Sequence, residues 1–313
     1  MNSKETNTKA KILAIETTGF MCSVCILDES LNLIHKYETK QFTHLKHLSS
    51  LINDACLVAN ITLKDISAIA VSSGPGSFTG IRIGISTARA LSQALNIPCI
   101  DVSTLKAFGL TAQIKHFLQE TLYNEIFFND EKNGVNTNDF LKNIYYINNI
   151  GENISSNETI ARNKSMAHDE EKRVLFCPAL DARRNQVYSG CFDENNSEII
   201  EAKPYKLDEF LEKLAKYLDS QNWSSKDKLY FVGDVASKYN TEYSDWASRY
   251  NYSIILENDV QNAIGVALLG LQKFYNNETI KYSELNANYM RIPEAERTLK
   301  ERLQRESKIC AKK

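Results

Sequence analysis

Hydrophobic positions in the N-terminal part of the chain alternate between strand-like and helix-like spacing. Five short apolar runs have strand length and are bounded by polar or turn-forming residues. Between them, Leu48, Leu51, Ile52 and Ala55 recur at helical spacing, and a second helix follows a glycine-rich segment. The predicted strands are residues 11–15, 21–27, 31–37, 66–71 and 98–102, and the predicted helices are residues 45–59 and about 80–95.

The order of these elements is three strands followed by alternating helices and strands. It is typical of one half of an actin-like ATPase (ribonuclease-H-like) α/β domain. A second apolar block starts at Val174 and predicts strands to Phe192 and at 229–233, with helices at 207–219 and 260–275. Because the 313 residues exceed one average domain, we expect an actin-like fold with two lobes.

An Asn-rich, charged stretch with few aliphatic runs separates the two apolar blocks. This composition predicts loops with one short helix, partly disordered. The predicted division is therefore an N-terminal actin-like lobe, an insertion, and a C-terminal lobe with a charged tail. Their expected bounds are residues 1–112, 113–172 and 173–313.

Charge and composition narrow the function classes. The 37 Lys and Arg residues nearly balance the 39 Asp and Glu residues, which argues against nucleic-acid binding by a basic field over the whole surface. The polar N-terminus, with Glu16 interrupting the first apolar run, fits neither a signal peptide nor a membrane span, so we expect a cytoplasmic protein. Cys22 and Cys25 form a C-x-x-C in a predicted strand. They should be buried on opposite faces of it, with a redox or zinc role as the alternative.

Two segments are candidates for binding chemistry. The turn Glu16-Thr17-Thr18-Gly19 is either a simple Thr-Gly turn or a contact to a phosphate and its Mg²⁺. The segment from Gly74 to Gly80 follows a strand and begins a helix. Its glycines either receive an anion or another chain's backbone, or let the strand and the helix pack closely. The segment is neither a Walker A loop nor a dinucleotide-binding fingerprint.

The sequence gives less support to a metal site or a catalytic nucleophile. His44 and His47 lie three residues apart near a helix start, and no third ligand is evident from local spacing. A surface or interface pair is therefore favoured over a metal site, and no metal is expected. Ser77 has no predictable His-Asp support, and no Gly-x-Ser-x-Gly motif occurs.

The segment from Gly74 to Gly84, GPGSFTGIRIG, closely resembles the bacterial tRNA threonylcarbamoyladenosine biosynthesis family TsaB, also called YeaZ. Further landmarks occur in the order found in that family, over roughly residues 11–112 and 173–300. These landmarks are Ile15-Glu16-Thr17-Thr18, His47, Asp181-Ala182-Arg183-Arg184 leading to Val187-Tyr188, and Asn288-Tyr289-Met290-Arg291 before Glu294.

The resemblance implies a non-catalytic, dimerising subunit that binds and activates the catalytic subunit TsaD and works with the ATPase TsaE. The implied reaction transfers a threonylcarbamoyl group to N6 of the adenosine 3′ of the anticodon, in tRNAs that read codons beginning with A (t6A formation). It further implies a homodimer as another assembly, tRNA contact only through the complex, and no tightly bound cofactor, with weak ATP or ADP binding at the interface with TsaD.

The alternative is a metal-dependent threonylcarbamoyl transferase or an ATP-using enzyme of the same fold. The catalytic relative holds its metal through His-x-x-x-His, a spacing that His44 and His47 do not match. The second phosphate-binding loop of sugar kinases, Asp-Gly-Gly, is also missing, and Gly233-Asp234 matches it poorly. We therefore expect nucleotide binding by the chain alone to be weak or absent.

In the family, helices of the N-terminal lobe form the partner surface, and small residues allow another helix to approach closely. If the small-residue face of the second predicted helix binds the partner, Ala88→Arg should weaken partner binding and leave the chain folded. The expected interface residues are His47, Leu48, Ile52, Ala55, Ile81, Ile85, Ala88 and Leu91. The candidate nucleotide-facing residues are Glu16, Thr17, Thr18, Gly74, Gly76, Ser77, Gly80, Arg82, Asp181 and Arg183.

Overall fold

A computed structural model describes residues 9–38, 44–118, 173–290 and residue 302, and these residues form two five-stranded sheets. The first sheet has the strand order β3-β2-β1-β4-β5, with β1 antiparallel to β2 and parallel to β4. All five strands predicted for this lobe are confirmed. They are β1 Lys11–Glu16, β2 Cys22–Asp28, β3 Leu33–Glu38, β4 Ala68–Gly74 and β5 Cys99–Ser103.

The second sheet repeats this arrangement. Its order is β10-β9-β6-β7-β8, with β6 antiparallel to β7 and parallel to β9. Read from the first strand of each lobe, the two orders are the same, although no repeat is obvious in the sequence. The strands are β6 Val174–Asp181, β7 Gln186–Asp193, β8 Glu198–Lys206, β9 Lys228–Val232 and β10 Ser253–Glu257. This duplication confirms the predicted actin-like α/β fold with two lobes.

The described helices cover the faces of the two sheets. In chain order they are α1 His44–Val58, α2 Phe78–Leu95, α3 Thr104–Leu118, α4 Leu207–Ser220, α5 Val235–Lys238, α6 Asn240–Tyr250 and α7 Ala263–Tyr275. Helices α1 and α2 pack on one face of the first sheet, and α3 and α7 pack on the other. Because both faces are covered, β1 and β4 are apolar on both sides rather than alternating.

The two cysteines of β2 lie on opposite faces of the first sheet. Cys22 packs with the core under α1 and α2, whereas Cys25 packs with the core under α3 and α7. Both thiols are free and buried. The prediction of buried cysteines on opposite faces of one strand is therefore confirmed.

Helix α3 joins the two lobes. Its Leu105 and Phe108 are almost fully buried and pack against Phe176, Phe192 and Tyr230 of the second sheet. The other side of the helix packs in the core of the first sheet with α7. From Thr104 to Ile114 every residue of this helix except Lys106 is buried, so this part of α3 has no continuous polar face.

The packing differs from the predicted division in two places. The boundary after residue 112 falls inside α3, which continues to Leu118. Helix α7 lies in the range assigned to the C-terminal lobe, but it packs on the first sheet. The reason is burial, because residues 263–271 of this helix are all buried and need a sheet on which to pack.

Residues 276–290, here called the C-terminal strap, also return to the first lobe. Ile280 exchanges two backbone hydrogen bonds with Cys99, at 2.8 and 2.9 Å, which adds a bridge at the edge of β5. Leu285 is fully buried in the core under α1 and α2. The backbone N–H of Asn288 donates to the carbonyl of Ser73, 2.8 Å away. Residues far apart in sequence thus complete the same lobe.

Candidate functional site

Glu16 lies at the end of β1 and is buried among hydroxyl groups. Its Oε1 accepts hydrogen bonds from the Thr18 backbone N–H at 2.5 Å and the Thr18 hydroxyl at 2.6 Å. Its Oε2 accepts one from the Ser72 hydroxyl on β4. Thr104 at the start of α3 donates to the Thr18 Oγ1, 3.3 Å away. These four side chains are at most 2% exposed, so they form a closed polar cluster.

Burial raises the pKa of the Glu16 carboxyl above its ordinary value, because the charged form loses its hydration. Hydrogen bonds from Ser72 and Thr18 act in the opposite direction but only partly offset the effect. The carboxylate is therefore held by the lobe itself. In this arrangement it is not presented to a ligand.

The glycine-rich segment after β4 wraps around this hairpin. The Ser77 backbone N–H donates to the Thr18 carbonyl at 2.7 Å, and the Thr17 hydroxyl donates to the Gly80 carbonyl at 2.7 Å. A Cβ added at Gly80 would lie 1.9 Å from the Thr17 carbonyl oxygen. Of the two interpretations that the sequence leaves open, this geometry supports close packing of strand and helix.

Among the candidate nucleotide-facing residues, the structure separates buried from exposed positions. Glu16, Thr17 and Thr18 are buried, whereas Ser77 and Arg82 are exposed at the start of α2. Ser77 caps this helix, because its hydroxyl oxygen accepts a hydrogen bond from the Gly80 N–H. Gly74 and Gly80 are buried and Gly76 is half-buried.

Asp181 and Arg183 lie on the matching hairpin of the second lobe. Asp181 ends β6 as Glu16 ends β1, but it is exposed and pairs with Lys238, Nζ to Oδ2, at 3.1 Å. The Arg183 N–H donates to the Asp181 Oδ1 at 2.7 Å. The turn after Asp181 is in the left-handed region at three successive residues, Arg183, Arg184 and Asn185. This hairpin is therefore open where the first one is closed.

The predicted interface residues need a correction. Six of them, Leu48, Ile52, Ala55, Ile81, Ile85 and Ala88, are no more than 6% exposed and pack on the first sheet. The apolar periodicity of α1 and α2 identified the sides that cover their own sheet. At Ala88, which is fully buried, an arginine would place an unpaired charge in the core, so we expect unfolding rather than a selective loss of binding.

The outward side of α2 carries a different set of residues. We call them the α2 stripe: Ile83, Thr87, Ala90 and Ala94, which lie at successive helical turns, the first two half-buried and the last two exposed. On the neighbouring helix α1, Leu57 is 69% exposed. The stripe contains no charge, and its residues are small apart from Ile83. The stripe is absent from the interface residues predicted from the sequence, although the same periodicity shifted by two positions identifies it.

An aromatic group lies at the N-terminal end of this helix. The Arg82 guanidinium stacks over the Phe78 ring, 3.9 Å from its centroid, and its Nε donates to the Tyr289 hydroxyl at 3.0 Å. The Phe78 and Tyr289 rings lie 4.7 Å apart. Tyr289 belongs to a family landmark in the sequence, but its role could not be predicted there, since only the folded chain brings it to α2.

Metal ligands were not expected from the sequence. Within the described ranges, no group of three or more His, Cys, Asp or Glu side chains is placed to hold a metal ion. The His44 side chain lies outside the described residues, and His47 is half-buried on α1. The preference for a surface or interface pair stays a prediction. None of the helices in the described part is both long and apolar enough to cross a membrane.

Comparison with known proteins gives consistent matches. A family model described as TsaD, tRNA N6-adenosine threonylcarbamoyltransferase, matches residues 38–121. The chain is 38% identical over 106 residues to the tRNA threonylcarbamoyladenosine biosynthesis protein TsaB of Escherichia coli strain K12, covering 34% of this chain and 46% of that protein. It is 39% identical over 71 residues to the tRNA N6-adenosine threonylcarbamoyltransferase of Rhizobium meliloti strain 1021, covering 23% of this chain and 20% of that protein.

Among solved structures, YeaZ from Pseudomonas aeruginosa shares the fold with a TM-score of 0.54 and 20% sequence identity, covering 90% of this chain and 99% of that one. The chain spans about half the length of the TsaB relatives that it matches first. Several TsaB proteins at 31% to 38% identity agree with this shared fold. By sequence and by fold, the chain is similar to the TsaB (YeaZ) proteins.

Proposed function

We propose that this chain is a partner subunit, without turnover of its own, in the machinery that forms threonylcarbamoyladenosine in tRNA. The TsaB relatives are named as tRNA threonylcarbamoyladenosine biosynthesis proteins. The observation that carries the proposal is the α2 stripe, an outward, uncharged and mostly small-residue face within residues 38–121, which the TsaD family model matches. The subunit would bind and activate a TsaD-type catalytic subunit through this face.

The geometry of the stripe suits helix-to-helix packing. Small side chains such as Ala90 and Ala94 let the axis of a second helix come close, and Ile83 adds apolar contact. The TsaD family model matches the residues that carry α1 and α2, so a TsaD-type subunit would carry a related helix pair, and the two pairs could pack as a four-helix interface. A second copy of this chain would present the same surface, so a homodimer through the same face is the competing assembly.

The closed polar cluster around Glu16 supports a role without turnover. Both carboxylate oxygens of Glu16 are already hydrogen-bonded within the lobe, and Thr17 and Thr18 are buried with it. A phosphate could reach them only if the hairpin separated from α2. We therefore propose that the chain alone binds ATP or ADP weakly or not at all, and that any nucleotide sits at the boundary with the TsaD-type subunit.

The remaining partners follow the same proposal. The ATPase TsaE would join the assembly through the catalytic subunit. The net charge of −2 gives this chain no basic field, so tRNA would be contacted only through the complex.

A binding titration with the matching TsaD-type subunit tests the interface. Ala90→Arg places a long charged side chain in the exposed stripe and should weaken binding by about tenfold or more. Ser248→Arg, on an exposed position of α6 in the second lobe, is the matched control and should change affinity by less than about twofold. Equal affinities for both variants and the parent would remove the stripe from the interface.

A second candidate is the threonylcarbamoyl transferase itself. It is favoured by the TsaD family model over residues 38–121 and by the Rhizobium meliloti relative. The two candidates differ in the activity of the isolated chain. Given threonylcarbamoyl adenylate and tRNA, a partner subunit forms no product, whereas a transferase does.

A further inference from the structure

We infer that Phe78, Arg82 and Tyr289 form a preorganised anchor for a carboxylate, and that its occupant is an Asp or Glu side chain of the subunit that docks on α2. We call this group the Arg82 anchor. The inference rests on the proposed function and deepens it, because it names a charged contact at one end of an otherwise uncharged face.

The geometry holds the guanidinium in one orientation. Phe78 supports its face at 3.9 Å from the ring centroid, and the Tyr289 hydroxyl accepts from its Nε at 3.0 Å. Tyr289 contacts Phe78 at 4.7 Å between ring centroids, so each ring supports the other. Within the described residues these contacts engage Nε alone, so the N–H groups of the two terminal nitrogens are left to bind a ligand. Two parallel N–H groups of a fixed guanidinium match the two oxygens of a carboxylate.

The strap makes the anchor rigid from the opposite end of the chain. Next to Tyr289, the Asn288 N–H is bonded to the Ser73 carbonyl at 2.8 Å, and Leu285 is fully buried. Arg89, about two turns further along α2, donates its Nε–H to the Leu285 carbonyl at 2.8 Å. An arginine whose rotamer is already fixed loses less entropy when it binds than a free one does.

Among the described residues, none forms an ion pair with the charge at the anchor. Arg82 and Arg89 are the charged residues of α2, which contains no acidic residue. Arg89 is committed to the strap, whereas Arg82 forms no ion pair within the part of the chain that the structure describes. Arg82 also lies near the positive end of the helix dipole, which adds to the local positive potential. An acidic group is the complement of this surface.

A protein carboxylate fits these observations better than a nucleic-acid backbone. A nucleic-acid backbone is bound by several cations along a track, whereas the described residues place one fixed arginine and two partly exposed rings at the anchor. Phe78 is 37% exposed and Tyr289 half-buried. Tyr, Phe and Arg are the residue types enriched in the centres of protein interfaces. The anchor lies on the same helix as the α2 stripe, so both would meet one partner.

The test is a titration of the full-length chain against the matching TsaD-type subunit at low and high salt. Arg82→Gln should weaken binding about tenfold at low salt and flatten its salt dependence. Arg82→Lys keeps the charge but loses the planar fork, so it should fall between the parent and Arg82→Gln. Arg249→Gln, an exposed arginine on α6, is the control and should leave the affinity unchanged. Thermal unfolding of each variant checks that the chain remains folded.

The outcomes separate this inference from the proposed function. If Arg82→Gln binds like the parent while Ala90→Arg binds weakly, the interface stands and the anchor is rejected. If neither variant changes the affinity, both are rejected. A loss of tRNA retention by the assembled complex, with subunit affinity unchanged, would assign Arg82 to a phosphate and overturn the inference. Equal salt slopes for parent and Arg82→Gln, with a lower unfolding temperature for the variant, would show that the occupant lies within this chain.

Discussion

The first hairpins of the two lobes have the same topology but differ in solvent exposure: the first is buried and the second is open to solvent. Glu16 and Asp181 each end the first strand of a lobe with the same strand order. Glu16 is 1% exposed and bonded to hydroxyl groups, whereas the Asp181 side chain is 36% exposed and pairs with Lys238. The segment after the fourth strand of each lobe accounts for the difference. The glycine-rich segment and the long helix α2 close over Glu16, whereas the single-turn helix α5 leaves Asp181 open.

This difference separates the roles of the lobes. The closed hairpin ties β1, β4 and α2 together, which makes the first lobe a stiff support for the α2 stripe and the Arg82 anchor. The open hairpin keeps Asp181 and Arg183 accessible, so of the candidate nucleotide-facing residues these two, with Ser77 and Arg82, remain available to a ligand. Two lobes of the same strand order thus differ in this hairpin, which is open in the second lobe and an internal junction in the first.

The largest loss of stability is expected from Gly80→Ala in the closed hairpin. Its Cβ would lie 1.9 Å from the Thr17 carbonyl oxygen, which is backbone and cannot turn away. We expect a loss of about 3 kcal/mol in the free energy of unfolding, measured by denaturant titration. Ser86→Ala, exposed on the same helix, should stay within about 0.5 kcal/mol of the parent. A Gly80→Ala protein as stable as the parent would mean that the hairpin and α2 are not tightly joined.

A second test uses pH and Glu16→Gln. Burial raises the pKa of Glu16 in the folded state above its ordinary value of 4.5, so the folded protein holds this proton to higher pH than the unfolded chain does. The contribution of Glu16 to stability is therefore greatest below pH 4.5 and declines as pH rises through the raised value. Glu16→Gln removes this titration, so the parent should lose stability relative to the variant as pH increases.

The readout for Glu16→Gln is the difference in unfolding free energy between parent and variant, measured by denaturant titration from about pH 4 to about pH 8. Using a difference cancels the other titrating groups that the two proteins share. A difference that stays constant over this range, or that changes in the opposite direction, would show that Glu16 is not a buried carboxyl of raised pKa.

The smallest effect is expected at the open hairpin. Asp181→Asn removes an exposed ion pair with Lys238 and retains an oxygen that can accept from the Arg183 N–H. Exposed pairs contribute little, so the unfolding free energy should fall by less than about 1 kcal/mol. A loss as large as that of Gly80→Ala would show that the second hairpin is as structural as the first and would end the contrast between the lobes.

Much of this fold could be predicted from the sequence, because strands and amphipathic helices carry periodic signals. Strands β1 to β5 and helices α1, α2, α4 and α7 have such signals, and all were found. Helix α3 was missed because it is buried between the lobes and has no polar face to reveal its period. The same burial misassigned α7, since an apolar helix does not indicate which sheet it will cover.

The candidate site was less accessible to sequence reasoning, for a related physical reason. Periodicity marks the side of a helix that is driven out of water, which is the side packed on its own sheet. Ile81, Ile85 and Ala88 have this periodicity and are buried. The outward stripe has small residues and gives only a weak signal. The Arg82 anchor needs Tyr289, and only the path of the strap brings that residue to α2.

Reconstitution of threonylcarbamoyl transfer tests the central claim most directly. The matching TsaD-type and TsaE-type proteins are assayed on tRNA with and without this chain, and this chain is assayed alone with threonylcarbamoyl adenylate and tRNA. We predict that product forms at a substantial rate only when all three proteins are present, and that this chain alone forms none. Product from this chain alone, or an unchanged rate when it is left out, would contradict its assignment as a partner subunit.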